Sequence, residues 1–157
     1  MGACVEGGVA RTGATWGSLG VAVVPAGMTR IALIAHDDEK PEMLEFAAEH
    51  ESYLSTIDIV TTGTTGERIR DEVGLDVERK ASGPMGGDLQ IGGLVAEDRI
   101  DAIVFLRDPQ TAQPHEPDIS ALLRICDVHD VPLATTRTSA EYVLAGVAAD
   151  DGVDLDD

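Results

Sequence analysis

From Met28 onward the chain alternates short apolar runs with longer stretches of helical period. Arg30–Ala35 (RIALIA) is a near-continuous apolar run of strand length, as expected for a strand buried on both faces. Pro41 then sits just inside a helix predicted over residues 41–53, with Met43, Leu44, Phe46 and Ala47 as its apolar side. The pattern next predicts a strand over 57–61, a helix over 65–73 stopped by Gly74, and a short strand over 77–80. A helix over 88–97 follows, its Ile91, Leu94 and Val95 sharing one face, and then a second buried strand at Ala102–Leu106 (AIVFL). Ile119, Leu122, Leu123 and Cys126 fall at i, i+3, i+4 and i+7, which marks a helix starting near Pro117. A fifth strand over 131–135 and a short helix over 139–144 complete the pattern.

Five strands, each followed by a helix, imply right-handed crossovers. The expected fold is α/β: a three-layer αβα sandwich around a five-stranded parallel sheet, occupying residues 28–149 as one domain without internal repeats. Residues 1–27 are mostly Gly, Ala, Val, Ser and Thr, carry neither period, and read as a disordered extension or as a start codon placed too early. They lack the basic front and apolar stretch of a signal peptide. The acidic end, 150–157, reads as a solvated tail.

Charge narrows the partners. The chain has 11 Lys+Arg against 29 Asp+Glu, a net charge of −18, so its field repels nucleic acid and anionic membrane. Aromatics at 3% leave few base-stacking platforms, and no stretch approaches the roughly 20 apolar residues of a membrane span. Only Lys40 and Lys80 are lysines. Dense carboxylates with almost no lysine resemble the surfaces of extreme halophiles, where salt screens self-repulsion. Cys4 and Cys126 are too few and too far apart for a disulfide framework or a zinc cluster, which fits a reducing cytoplasm. Cys126, among apolar neighbours, reads as a small core residue.

The chemistry collects on one edge of the predicted sheet. In open α/β sheets, ligands bind outside the carboxyl ends of the strands. The segments leaving those ends are HDDEK (36–40), TGTTG (62–66), SGPMGGD (82–88) and RDP (107–109) leading to His115, Pro117 and Asp118. The connections at the other edge hold nothing comparable. Glycines admit an anion close to the backbone, and threonine hydroxyls with free helix N–H groups donate to it. The alternative is ordinary helix capping by Thr. The two glycine loops and the rare Lys40 together favour an anion site, a phosphate in particular. No Walker sequence occurs. His36, His115, Asp37, Asp88, Asp108 and Asp118 are the acid/base candidates. Asp88 and Asp118 also read as first-turn helix residues, and each His as a hydrogen-bonded structural residue. No H-E-x-x-H or i, i+4 pair organises them for a metal. His50 and His129 read as surface residues. Phosphate donors beside a carboxylate and a histidine suggest proton abstraction next to a carbonyl of a small phosphorylated substrate.

IALIAHDDEK, TTGTTG, SGPMGGDLQIGGLV, DPQTAQPHEPDISALLR and VPLATTRTSAEYV together resemble bacterial-type methylglyoxal synthases over about residues 30–144. The resemblance implies conversion of dihydroxyacetone phosphate to methylglyoxal and inorganic phosphate, with no metal or organic cofactor. It implies Asp88 as the base and His115 as donor to the carbonyl oxygen. It places His36 in the same pocket, with Asp37, Asp108 and Asp118 orienting these groups or assisting proton transfer. Lys40, Thr62, Thr64, Thr65, Ser82 and Gly83, with the two histidines, are implied in substrate binding. It further implies a homohexamer in which phosphate, the product, also inhibits. Arg107 stands where the family often has an aromatic residue.

Two other readings use the same features. A non-catalytic module of this fold binds regulatory ligands in carbamoyl-phosphate synthetase, and it needs the phosphate loops but not the base. A response-regulator receiver needs an Asp after its third strand and a Lys after its fifth. This chain offers Lys80-Ala81-Ser82 and Thr135-Thr136-Arg137 at those places.

Overall fold

A computed structural model describes residues 27–156. The expected extension at 1–27 lies, but for Gly27, outside the described residues. Five parallel strands form one sheet in the order β3-β2-β1-β4-β5: β1 (Arg30–Ala35), β2 (Asp58–Thr61), β3 (Glu78–Arg79), β4 (Ala102–Leu106) and β5 (Leu133–Ala134). Every residue of β1 and β4 is buried, as their unbroken apolar runs require of central strands.

Alternation along β1 divides the core. Ile31, Leu33 and Ala35 join one apolar cluster, while Ala32 and Ile34 join the other. The first cluster is covered by α1 (Lys40–Glu49), α2 (Glu51–Leu54), Ile69 just beyond α3 (Gly63–Arg68), and α6 (Arg137–Asp150). The second is covered by α4 (Gly87–Ala96) through Ile91, Leu94 and Val95, and by α5 (Glu116–His129) through Ile119, Leu122 and Cys126. Strand order reverses at β1, and right-handed crossovers therefore put α4 and α5 on the opposite face from α1. The reversal leaves a crevice beyond the carboxyl ends of β1 and β4, where the His36 N–H continues the ladder to the Leu106 carbonyl at 3.1 Å.

Several elements differ from the pattern-based expectation. The helix expected over 41–53 breaks at His50, whose Nε2 meets Glu141 at 2.5 Å and whose ring tilts against Phe46. His50 is thus half-buried and hydrogen-bonded rather than a free surface residue. α3 starts two residues early and continues as a wider turn, Ile69–Val73, before Gly74 ends it in the left-handed region. β5 is only two residues long because Pro132 has no N–H for a ladder, and the Val131 N–H closes α5 on the Cys126 carbonyl. α6 is 14 residues rather than a short segment: a reciprocal Thr136–Ser139 cap starts it, and Ala148 anchors its far end in the core. Beyond it Asp151 accepts from Thr29 Oγ1 at 2.7 Å and Tyr53 OH at 2.6 Å, and Leu155 packs on the core, so the acidic end is tied down at its start. Cys126 is free and buried, its thiol pushed up to about 11 by burial, as a core residue should be.

Candidate active site

The crevice is a cavity of about 470 Å³ built by four β→α loops. His36, Asp37, Lys40, Thr62, Thr64, Thr65, Ser82, Gly83, Asp88, Asp108 and His115 all line it. Eleven residues singled out by sequence thus share one wall-to-wall space, although 79 positions separate the first from the last. Asp118 does not line the cavity. It is half-buried in the first turn of α5, near enough to bear electrostatically on Asp88. Sequence reasoning missed Asp38, Thr111 and Gln113, which also face the cavity. They lie in loops already singled out, but only the path of the β4–α5 loop decides which of its polar residues turn inward.

The phosphate-type wall comes from three loops. Around Thr62–Gly66, the Gly63 N–H donates to the Ala81 carbonyl at 3.2 Å and the Gly66 N–H to Thr62 at 3.0 Å. The amides of Thr64 and Thr65 are first-turn groups with no intrahelical acceptor. Thr65 Oγ1 donates to the Ala35 carbonyl at 3.3 Å, which pins this loop against the end of β1. Residues 82–87 turn on Gly86, whose φ of +98° suits glycine, and the Met85 and Gly87 amides both donate to the Ser82 carbonyl. Lys40 is buried and ion-paired with Asp37, whose carboxyl it holds below the usual range. That pair sets the wall's lysine against an exposed carboxylate, a partner that a more strongly bound anion can replace.

The opposite wall carries the titratable groups. Asp88, in the first turn of α4, is 1% exposed, and among the described residues neither of its carboxylate oxygens has a hydrogen-bond partner. Burial pushes its pKa up; His115 opposes that rise and Asp118 adds to it. His115 Nε2 stands 3.5 Å from Asp88 Oδ2. Gly83 backs onto the same imidazole so closely that a Cβ there would lie 2.7 Å from Nε2. His36 stacks edge-on against His115 at 5.9 Å between centroids, and its pKa is pushed down by burial and by the nearby His115 and Arg107. Asp108 sits at the mouth, its carboxyl held low by Thr111 and by the Gln110 N–H.

Buried polar atoms without partners are costly and rare in folded proteins. Here Asp88 Oδ1 and Oδ2, His36 Nε2 and His115 Nδ1 are all such atoms, and all belong to residues lining one cavity. The arrangement suits a ligand with an anionic end among amides, hydroxyls and an ammonium, and a reacting carbon beside a carboxylate of raised pKa. Among the described residues, one trio of metal-type side chains brings its ligand atoms within 4.8 Å of one another: Glu49, His50 and Glu141, outside the cavity. Arg137 is already bonded to both of those carboxylates.

Comparison with known proteins gives the family. Residues 42–135 match the family model of the MGS-like domain. A methylglyoxal synthase from Cupriavidus taiwanensis is 62% identical over 123 residues, covering 78% of this chain and 92% of the relative. One from Ralstonia nicotianae is 59% identical over 115 residues, covering 73% and 85%. The crystal structure of methylglyoxal synthase from Elizabethkingia anophelis superposes with a TM-score of 0.71 at 38% identity, covering 75% of this chain and 78% of that one. Identity at that level, across nearly the whole length of a relative, is more than a likeness of fold: this chain belongs to the methylglyoxal synthase family.

Proposed function

We propose that the protein is a lyase that converts dihydroxyacetone phosphate to methylglyoxal and inorganic phosphate. The observation that carries this reading is Asp88: a carboxylate almost wholly buried, without a hydrogen-bond partner among the described residues, and 3.5 Å from a histidine in the cavity that also holds the phosphate-type loops. Burial makes it a stronger base than a solvated aspartate. Asp88 takes a proton from the substrate's hydroxyl-bearing carbon. His115 and His36 donate to the oxygen on which negative charge develops, giving an enediolate. The electron pair then expels phosphate from the neighbouring carbon, and the enol left behind rearranges to methylglyoxal.

Lys40, Thr62, Thr64, Thr65, Ser82 and Gly83 hold the phosphate. Fixing it so that the breaking C–O bond stands out of the enediolate plane favours elimination over return of the proton. Asp37 shares Lys40, and Asp118 raises Asp88's basicity from outside the cavity. The chemistry proposed needs no metal or organic cofactor. The product phosphate binds the same wall and inhibits, and the enzyme works as a homo-oligomer, a hexamer by analogy with its family. The −18 charge and the scarcity of lysine support a salt-adapted protein, and the two cysteines support a cytoplasmic one. Among the described residues no helix is long and apolar enough to cross a membrane.

The test is methylglyoxal release from dihydroxyacetone phosphate by the purified full chain in molar salt. Product release at a rate far above the buffer establishes the activity. Phosphate binding without any product would instead mean a regulatory module on the same fold.

A further inference from the structure

The two nitrogens of His36 have different neighbours. The residue follows β1 directly, with its ring edge-on to Phe105 at 5.2 Å and to His115 at 5.9 Å. Its Nδ1 lies 2.9 Å from the backbone nitrogen of Asp108, two residues beyond the end of β4. A peptide N–H can only donate, so Nδ1 must present its lone pair. A neutral imidazole has one ring proton to place, and with Nδ1 accepting, that proton is on Nε2. Nε2 is buried and has no hydrogen-bond partner among the described residues, and His36 lines the cavity. An imidazolium would set N–H against N–H at the Asp108 contact.

We propose that the backbone amide of Asp108 fixes His36 as a neutral Nε2–H donor to the substrate, which makes Asp108 a positioning residue acting through its main chain. This deepens the functional reading above and rests on it for the identity of the substrate. Nε2 then has no lone pair with which to take a proton, so His36 cannot serve as the base. A neutral donor stabilises an enediolate oxygen without surrendering its proton outright. The Asp108 carboxylate acts separately from its amide, accepting the Gln110 N–H at 3.0 Å and so folding the turn from which the amide is presented. The same loop ends at His115, the residue that opens α5, so one segment sets both imidazoles. The charged groups around His36 are divided. Arg107 and His115 disfavour its protonation together with burial, while Glu116 and the Asp108 carboxylate favour it.

Nitrogen NMR of the histidine-labelled full chain in molar salt, without substrate, tests this directly, with His36→Gln used to assign the signal. The expected spectrum has a pyridine-type Nδ1 and a pyrrole-type Nε2 at pH 7, with a through-hydrogen-bond coupling between the Asp108 amide and Nδ1. Asp108→Asn, which keeps an acceptor for the Gln110 amide, should retain the coupling. Asp108→Ala should weaken the coupling and lower kcat on the order of tenfold, with KM within about twofold. An Nδ1–H tautomer, an imidazolium at pH 7, or an Asp108→Ala protein with coupling and kcat both unchanged would overturn the proposal. Methylglyoxal release measured on the same sample keeps the two failures apart. No product with the coupling present sinks only the enzymatic reading, and product with an Nδ1–H ring sinks only this one.

Discussion

Gly83 offers the sharpest test of how the cavity is assembled. A Cβ at this position would lie 2.7 Å from His115 Nε2 and 3.2 Å from its Cδ2, against the 3.4 Å at which such contacts become ordinary. The imidazole is 92% buried and stands 3.5 Å from Asp88, so it has little freedom to retreat without changing that spacing. Relieving the contact requires a displacement of about 0.7 Å between residue 83 and the ring. If a 1 Å misplacement costs about 100-fold, Gly83→Ala should lose roughly 25-fold in kcat, or about 2 kcal/mol of transition-state stabilisation. The assay is methylglyoxal release at saturating dihydroxyacetone phosphate, with a thermal melt on each sample to show that the fold survives. Gly93→Ala is the matched control: the site is inside α4 and exposed, and nothing lies within 4 Å of its added methyl. That change should leave kcat alone and stabilise the helix by about 0.5–1 kcal/mol. Wild-type kcat in Gly83→Ala with the fold intact would refute the claim that this glycine sets the position of His115.

Four further outcomes are expected. Asp88→Asn should abolish turnover, yet melt at a higher temperature than the wild type at pH 7. Burial raises Asp88's pKa in the folded state, so its stabilising contribution is present below the unfolded value and lost as pH rises through the folded one; an unchanged or lower melting temperature would contradict this. For the same reason kcat/KM should fall on acidification through a pKa above the ordinary 3.8, tracked by initial rates across pH. Arg30→Met should destabilise the fold on the order of 3 kcal/mol in urea titrations. Arg30 is 4% exposed and bridges Asp58, at 2.6 Å, to Glu78, so its loss leaves two partly buried carboxylates facing each other. Finally, the melting temperature should climb steeply from low salt to molar potassium chloride as the −18 charge is screened, and a flat profile would sink the salt-adapted reading.

The parts of this protein that could be read from the chain are those written in side-chain period. RIALIA and AIVFL are apolar at every internal position, and only a central parallel strand buries both faces of such a run, so β1 and β4 emerged with the right bounds. The faces of α4 and α5 followed from their spacing in the same way. Ends governed by single tertiary contacts did not follow. His50 leaves the helix because Glu141, 91 residues away, captures its ring, and α6 runs on to Asp150 because Ala148 finds the core. Neither partner is visible locally.

The candidate site divides along the same line. The chain by itself determined which residue types gather on one sheet edge, because right-handed crossovers carry every β→α loop there whatever the loops contain. Tertiary structure alone decided which of those groups touch: that Asp88 is left buried and unpartnered, that His115 rests against Gly83, that Asp118 stays outside, and that a main-chain amide, invisible in any side-chain pattern, holds Nδ1 of His36. Desolvation and hydrogen-bond direction depend on positions in space to within an ångström, and a linear order of residues does not contain them.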